Sequence, residues 1–174
     1  MPFVKFKEKK IEYSKKGSGE ALVFLHGYLE AGIVWEEVED FFSKNFTTIC
    51  VDLPGHGDSE LLEDVQTMEF MAEAVNEVLE NEKISEATII GHSMGGYVAL
   101  ELYSKYSSKV SGLCLFHSTP FADDQQRKEY RTQIIELIKS GKHILLAKEH
   151  VEKTFANTNL KQFEQKIGFF KVVA

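Results

Sequence analysis

The 174-residue chain carries a formal net charge of −7 and 43% hydrophobic residues. That is enough apolar material for one packed domain and too much for a disordered chain. Its acidic balance, with both signs interspersed, excludes the basic patches that nucleic acid or an anionic membrane surface would require.

The chain opens MPFVKFKEKK, which has no apolar signal core. No uninterrupted apolar run approaches the ~20 residues needed to span a bilayer. A cytoplasmic setting without membrane association is therefore expected. Residues 3–13, FVKFKEKKIEY, alternate in the manner of two short antiparallel strands, and SKKGSGE (14–20) reads as a flexible turn. ALVFLHG (21–27) is a buried strand ending in glycine. Val34, Trp35, Val38, Phe41 and Phe42 then recur at helical spacing across 33–42. FTTICVDLPGHGDS (46–59) is a strand running into a loop. Residues 67–80 form an amphipathic helix with Thr67 near its start and Met68, Met71, Val75, Val78 and Leu79 on its apolar side. ATII (87–90) is a strand, 94–106 a helix and VSGLCLFHS (110–118) a further strand.

Apolar strands alternating with helices predict an α/β fold: a mostly parallel sheet covered by helices, preceded by an antiparallel hairpin. In open sheets of this kind ligands bind beyond the carboxyl ends of the strands. The texture changes near Pro120, which divides the chain into a core (1–119) and a helical segment (120–174). That segment holds three charged helical runs and no strand signal. Cys50 and Cys114 each lie in an apolar strand-like run, so two buried free thiols are expected. The six histidines show no H-x-x-x-H spacing, and no carboxylates cluster with them at ligand spacing. Neither a metal nor a cofactor is expected.

The stretch TIIGHSMGGYVALEL (88–102) passes from strand to helix within a few residues. Gly91 and Gly95 remove the Cβ atoms that would collide in so sharp a turn. Ser93 stands between them, its hydroxyl projecting above the sheet and toward the N–H groups that open the helix. An exposed, fixed hydroxyl beside such donors suits a nucleophile. A serine that merely caps the helix is the competing explanation. Strand and helix on either side of Gly-x-Ser-x-Gly are the context that favours catalysis.

Two other strand ends carry related loops: FLHGYLEAG, with His26 and Gly27, and VDLPGHGDS. With GHSMGG, these three motifs in this order resemble the α/β-hydrolase fold family, in particular its single-domain esterase, lactonase and acyl-hydrolase branch. The resemblance implies Ser93 as nucleophile and an oxyanion hole formed by the backbone N–H groups of Tyr28 and Met94. Gly27, Gly91 and Gly95 are then the motif glycines. His26, Leu29, Trp35, His92 and Phe121 are candidate pocket residues, and His26 and His56 are expected to shape their loops rather than act as bases. Asp52 and Ser59 are expected to brace their own turn through side-chain bonds to backbone. A serine at this position, where related dehalogenases and epoxide hydrolases carry aspartate, implies acyl chemistry on a small-molecule ester, thioester or lactone, or on a C–C bond beside a carbonyl. An acyltransferase or perhydrolase using the same serine fits the same residues, as does a non-catalytic binding module.

In the family, the catalytic acid and histidine follow the helical lid, and the final strands come with them. The resemblance therefore implies that the last strands, the acid and the histidine lie beyond Ala174, and that a chain of these residues alone is weakly active or inactive. His117 is the residue best placed to substitute as a base. The family's sheet order makes the 110–117 strand internal. Left as an edge, it would invite self-association. The same order puts two strands between those carrying Cys50 and Cys114, about 14 Å apart and too far for a disulfide. Phe121, Tyr130, Ile134, Leu145, Phe155 and Phe163 could line a pocket over Ser93 or bury against one another.

Overall fold

A computed structural model describes residues 1–61 and 63–174. The chain divides into two compact units, Met1–Pro120 and Phe121–Ala174.

The first unit is built on six strands. β1 (Phe3–Phe6) and β2 (Lys9–Lys16) form a hairpin, with Phe3 opposite Glu12. Lys7 and Glu8, the two residues between them, both have positive φ, 49° and 65°. That backbone hand matches the right-handed twist of paired strands. β2 runs antiparallel to β4 (Thr47–Val51). β4 is parallel to β3 (Ala21–Leu25), β3 to β5 (Ala87–His92), and β5 to β6 (Val110–Phe116). The sheet order is β1-β2-β4-β3-β5-β6. This is the hairpin-led, mostly parallel sheet expected from the alternation of strands and helices.

Strand alternation sends successive side chains to opposite faces, and each face has its own core. Val23, Leu25, Ile49, Val51 and Ile89 pack on one side with α2 (Met68–Asn81) and α3 (Met94–Lys105). Phe24 and Cys50 face the other side with Trp35, where a 3-10 turn (Gly32–Trp35) leads into α1 (Glu36–Phe42). The single helix expected over 33–42 thus begins as a tighter turn. Thr67 caps α2, its hydroxyl accepting the Phe70 N–H at 3.1 Å.

As expected of these residues alone, β6 is an edge strand: among the described residues it pairs with β5 alone, and Leu113 and Phe116 are 39% and 47% exposed. Cys114 is exposed too, whereas Cys50 is buried, so the pair of buried thiols expected from the apolar runs is corrected. The reason lies in the register. Cys114 sits beside Ile90, on the face that α1 covers at the centre of the sheet but does not cover at its margin.

The second unit holds α4 (Gln125–Lys139), α5 (His143–Lys153) and α6 (Glu164–Val173). Asp124 caps α4 by accepting the Arg127 N–H at 2.8 Å. Phe155 and Phe170 stack at 6.4 Å between ring centres. Among the described residues there is no strand after Phe116, and no helix is long and apolar enough to cross a membrane.

Candidate active site

The site is set by what happens between β5 and α3. Ser93 lies between them with φ 48° and ψ −111°, a conformation L-residues rarely adopt. Three bonds hold it there. Its N–H donates to the Phe116 carbonyl at 3.1 Å, and its carbonyl accepts the Gly96 N–H at 3.1 Å and the Ser118 hydroxyl at 2.7 Å. Glycine at 91 and 95 is a steric requirement. A Cβ on Gly91 would overlap the Gly95 carbonyl oxygen, and one on Gly95 would overlap that of Leu25. Ser93 is exposed and its side chain makes no capping bond to α3. Met94 is the first residue of α3, a position whose N–H has no intrahelical acceptor.

The loop after β3 faces this elbow through side-chain bonds of its own. His26 is fully buried. Its Nε2 accepts the Leu53 N–H at 3.0 Å, which places the ring hydrogen on Nδ1, and Nδ1 donates to the Gly27 carbonyl at 2.8 Å. Burial, with the charge of His56 beside it, lowers the pKa of His26 to about 4. The ring is therefore a neutral brace, enclosed in the core rather than lining a pocket. The Gly27 carbonyl shares a planar peptide with the Tyr28 N–H, so fixing one fixes the direction of the other. Tyr28 itself is exposed.

The neighbouring amide is also engaged. Gly27 N–H donates to Glu30 Oε2 at 2.6 Å, and His92 Nδ1 lies 2.9 Å from that same oxygen. Burial favours the neutral carboxyl of Glu30, but the His92 bond and charge and the Gly27 N–H outweigh it and hold the group below the usual carboxylate range. An ionised carboxylate only accepts, so Nδ1 of His92 carries the hydrogen. His92 is thus tied to a loop rather than free for another role at its Nδ1.

The third loop is braced as its sequence suggests. Asp52 Oδ1 accepts the Gly32 N–H at 2.6 Å and Oδ2 the Asp58 N–H at 2.9 Å, while Ser59 donates to the Asp52 carbonyl at 2.6 Å. Burial raises the Asp52 carboxyl despite these bonds. His56 Nδ1 lies 3.1 Å from the Pro54 carbonyl.

Trp35 is buried with its ring centre 5.9 Å from Phe116 and 6.4 Å from His92. Leu29 is half-buried, with φ 58°. His117 is exposed and packs edge-on to Phe116 at 4.7 Å. Phe121 opens the second unit and is exposed. A cavity of about 480 Å³ lies at the other end of the sheet, against Ala21, Leu22, Thr88 and Ser111 near the strands' amino ends. Among the described residues no group of three His, Cys, Asp or Glu side chains is placed to hold a metal ion.

Glu30 and Ser118 are the residues that sequence reasoning missed. Glu30 stands three places after Gly27, and nothing in its spacing distinguishes it from surface charge.

The model of the alpha/beta hydrolase fold family matches residues 20–138. The chain belongs to the alpha/beta hydrolase fold family. It is 30% identical over 126 residues to the pimeloyl-[acyl-carrier protein] methyl ester esterase of Vibrio vulnificus, covering 72% of this chain and 48% of that protein. A thermophilic esterase from Thermogutta terrifontis superposes with a TM-score of 0.88 at 23% identity, over 95% of this chain and 61% of that one. The enol-lactonase from Burkholderia xenovorans LB400 does so with 0.89 at 18% identity, over 99% and 66%. The chain thus spans less than two-thirds of each of these three hydrolases. At such identities the two structures speak for the alpha/beta-hydrolase fold alone.

Proposed function

We propose that the protein is a serine hydrolase acting on carboxylic esters of small molecules, with Ser93 as its nucleophile. The observation that carries this reading is the exposed hydroxyl of Ser93 in a strained turn, unused by the helix it precedes. A strained backbone persists only where the surroundings over-determine it, and such sites concentrate where geometry serves function. Ser93 Oγ loses its proton to a base and attacks the acyl carbon. The ester C–O bond breaks, the alcohol leaves with a proton, and an acyl-serine remains. Water then adds to the acyl carbon, releasing the acid and restoring the hydroxyl.

The oxyanion is received by the N–H groups of Tyr28 and Met94. Gly27 N–H is already taken by Glu30, and the Tyr28 N–H is the donor that the family resemblance implies for this loop. Each such donor is worth about 10²–10³ in rate. His26 has both ring nitrogens engaged by loop partners, so the reading does not assign it as the base.

The test is covalent labelling with a fluorophosphonate probe, with p-nitrophenyl acetate turnover measured alongside. The expected result is one adduct, on Ser93, absent in Ser93→Ala together with the turnover. The turnover is expected to be weak; an adduct on another residue in place of Ser93, or turnover that survives Ser93→Ala, overturns the reading.

A further inference from the structure

Glu30 joins two parts of the chain that are 62 residues apart. One carboxylate oxygen receives the Gly27 N–H at 2.6 Å and faces His92 Nδ1 at 2.9 Å. Gly27 opens the loop that carries the Tyr28 N–H, and His92 is the residue before Ser93. We propose that Glu30 is a positioning residue, its carboxylate fastening the Tyr28 loop to the nucleophile elbow through Gly27 and His92. This rests on the reading of Ser93 as nucleophile and Tyr28 as donor.

Three observations support it. The first is the packing at position 27. A Cβ there would fall 2.9 Å from Glu30 Oε2 and 3.0 Å from His92 Nδ1, so the absence of a side chain is what lets the carboxylate seat. The second is the division of labour around Gly27. Its carbonyl is held by His26 and its N–H by Glu30, so both peptide planes leading to Tyr28 are fixed by side chains. His26 fixes its plane from within the loop, whereas Glu30 alone of the two reaches across to β5. The third is charge. Glu30 remains ionised while partly buried, and bonds to a carboxylate are shorter and stronger than neutral ones. A misplacement of about 1 Å at a reacting centre can cost about 10²-fold in rate. A tether between donor and nucleophile therefore acts on the chemical step rather than on substrate binding.

The test compares Glu30→Ala and Glu30→Gln with the parent 174-residue chain. The glutamine carbonyl can still accept the Gly27 N–H, whereas alanine accepts nothing. Glu30→Ala is expected to lower kcat for p-nitrophenyl acetate about tenfold, a fraction of the loss of a whole oxyanion donor, with KM within about twofold. Glu30→Gln should recover most of that loss. The Gly27 amide proton and the His92 ring, followed by NMR, should both shift in Glu30→Ala. Equal kcat in all three proteins overturns the proposal, as does a Glu30→Ala defect that glutamine does not relieve. Labelling of another residue in place of Ser93 sinks the hydrolase reading by itself, and a parent too weakly active for kcat to be compared leaves the kinetics silent. NMR then decides the tether: unchanged Gly27 and His92 signals in Glu30→Ala overturn it, and coupled shifts uphold it.

Discussion

The hydroxyl of Ser118 donates a 2.7 Å hydrogen bond to the carbonyl oxygen of Ser93. Ser93 N–H meanwhile donates to the carbonyl of Phe116, two residues before Ser118. The end of β6 thus grips the elbow residue on both of its backbone polar groups. A conformation of this kind costs about 1–3 kcal/mol and persists only when held from several sides.

Ser118→Ala removes one of these grips. The expected loss is about 1 kcal/mol of stability, the ordinary net worth of a hydrogen bond, accompanied by slower phosphonylation of Ser93 as its turn loosens. Denaturant unfolding and labelling kinetics check the two effects separately. A fall in stability with no change in labelling would confine Ser118 to a packing role.

The burial of His26 makes a prediction about acid. Its pKa falls from 6.5 in the unfolded chain to about 4 in the fold. Between those values the unfolded chain binds a proton that the folded one does not, so stability rises with pH across that window. The contribution is fully present above pH 6.5 and is lost as pH falls toward 4, by about 3 kcal/mol at most. The lowered pKa of His56 acts in the same direction. Titration of the His26 ring by NMR gives the value directly, and a midpoint near 6.5 would contradict the neutral-brace assignment.

The two cysteines should differ in reactivity. Cys50 is buried, and burial together with the charge of Glu39 raises its thiol pKa well above the ordinary value. Cys114 is exposed on β6. Because the thiolate is the reactive form, the native protein should release one equivalent from a disulfide reagent rapidly and a second only on unfolding. Two fast equivalents would place Cys50 outside the core.

Asp52 supplies the acceptors for Gly32 N–H and Asp58 N–H, which lie on separate segments. Asp52→Ala leaves both without that partner and should cost about 3 kcal/mol, given roughly 1.5–3 for each bond to a charged acceptor. That corresponds to a fall in Tm of about 10 °C for a chain of this size. Asp52→Asn retains one carbonyl acceptor and should lie in between. Calorimetry checks the ranking, and equal values for the two variants would mean that charge rather than geometry matters there.

The elements that were legible in the sequence are those whose signal is local. Thr67 before an apolar helical pattern marks the start of α2, and Gly91 with Gly95 around Ser93 marks a turn that admits no side chain on either flank. Both depend on residues within a few positions of one another. The grouping of strands into a mostly parallel sheet follows from their alternation with helices, while the strand order came with the family resemblance. What was not legible depends on the fold as a whole. Cys114 lies in as apolar a run as Cys50, yet exposure is decided by whether a helix reaches that strand, and α1 stops short of it. Glu30 looks like any loop carboxylate until folding brings it to His92. His26 and Gly27 were visible as a motif, but the side chains that clamp the carbonyl and the N–H of Gly27 could be identified only from their positions in space.

The arrangement of β6 bears on how the elbow would fail. Two of the three bonds that hold Ser93 run to this strand and the residue pair after it, and among the described residues the strand has a neighbour on one flank only. Peeling away that margin would release Ser93 while β1 to β5 stayed zipped together. Gentle warming or dilute urea could then disarm the serine well ahead of any collapse of the core, so that loss of labelling would precede the far-ultraviolet transition.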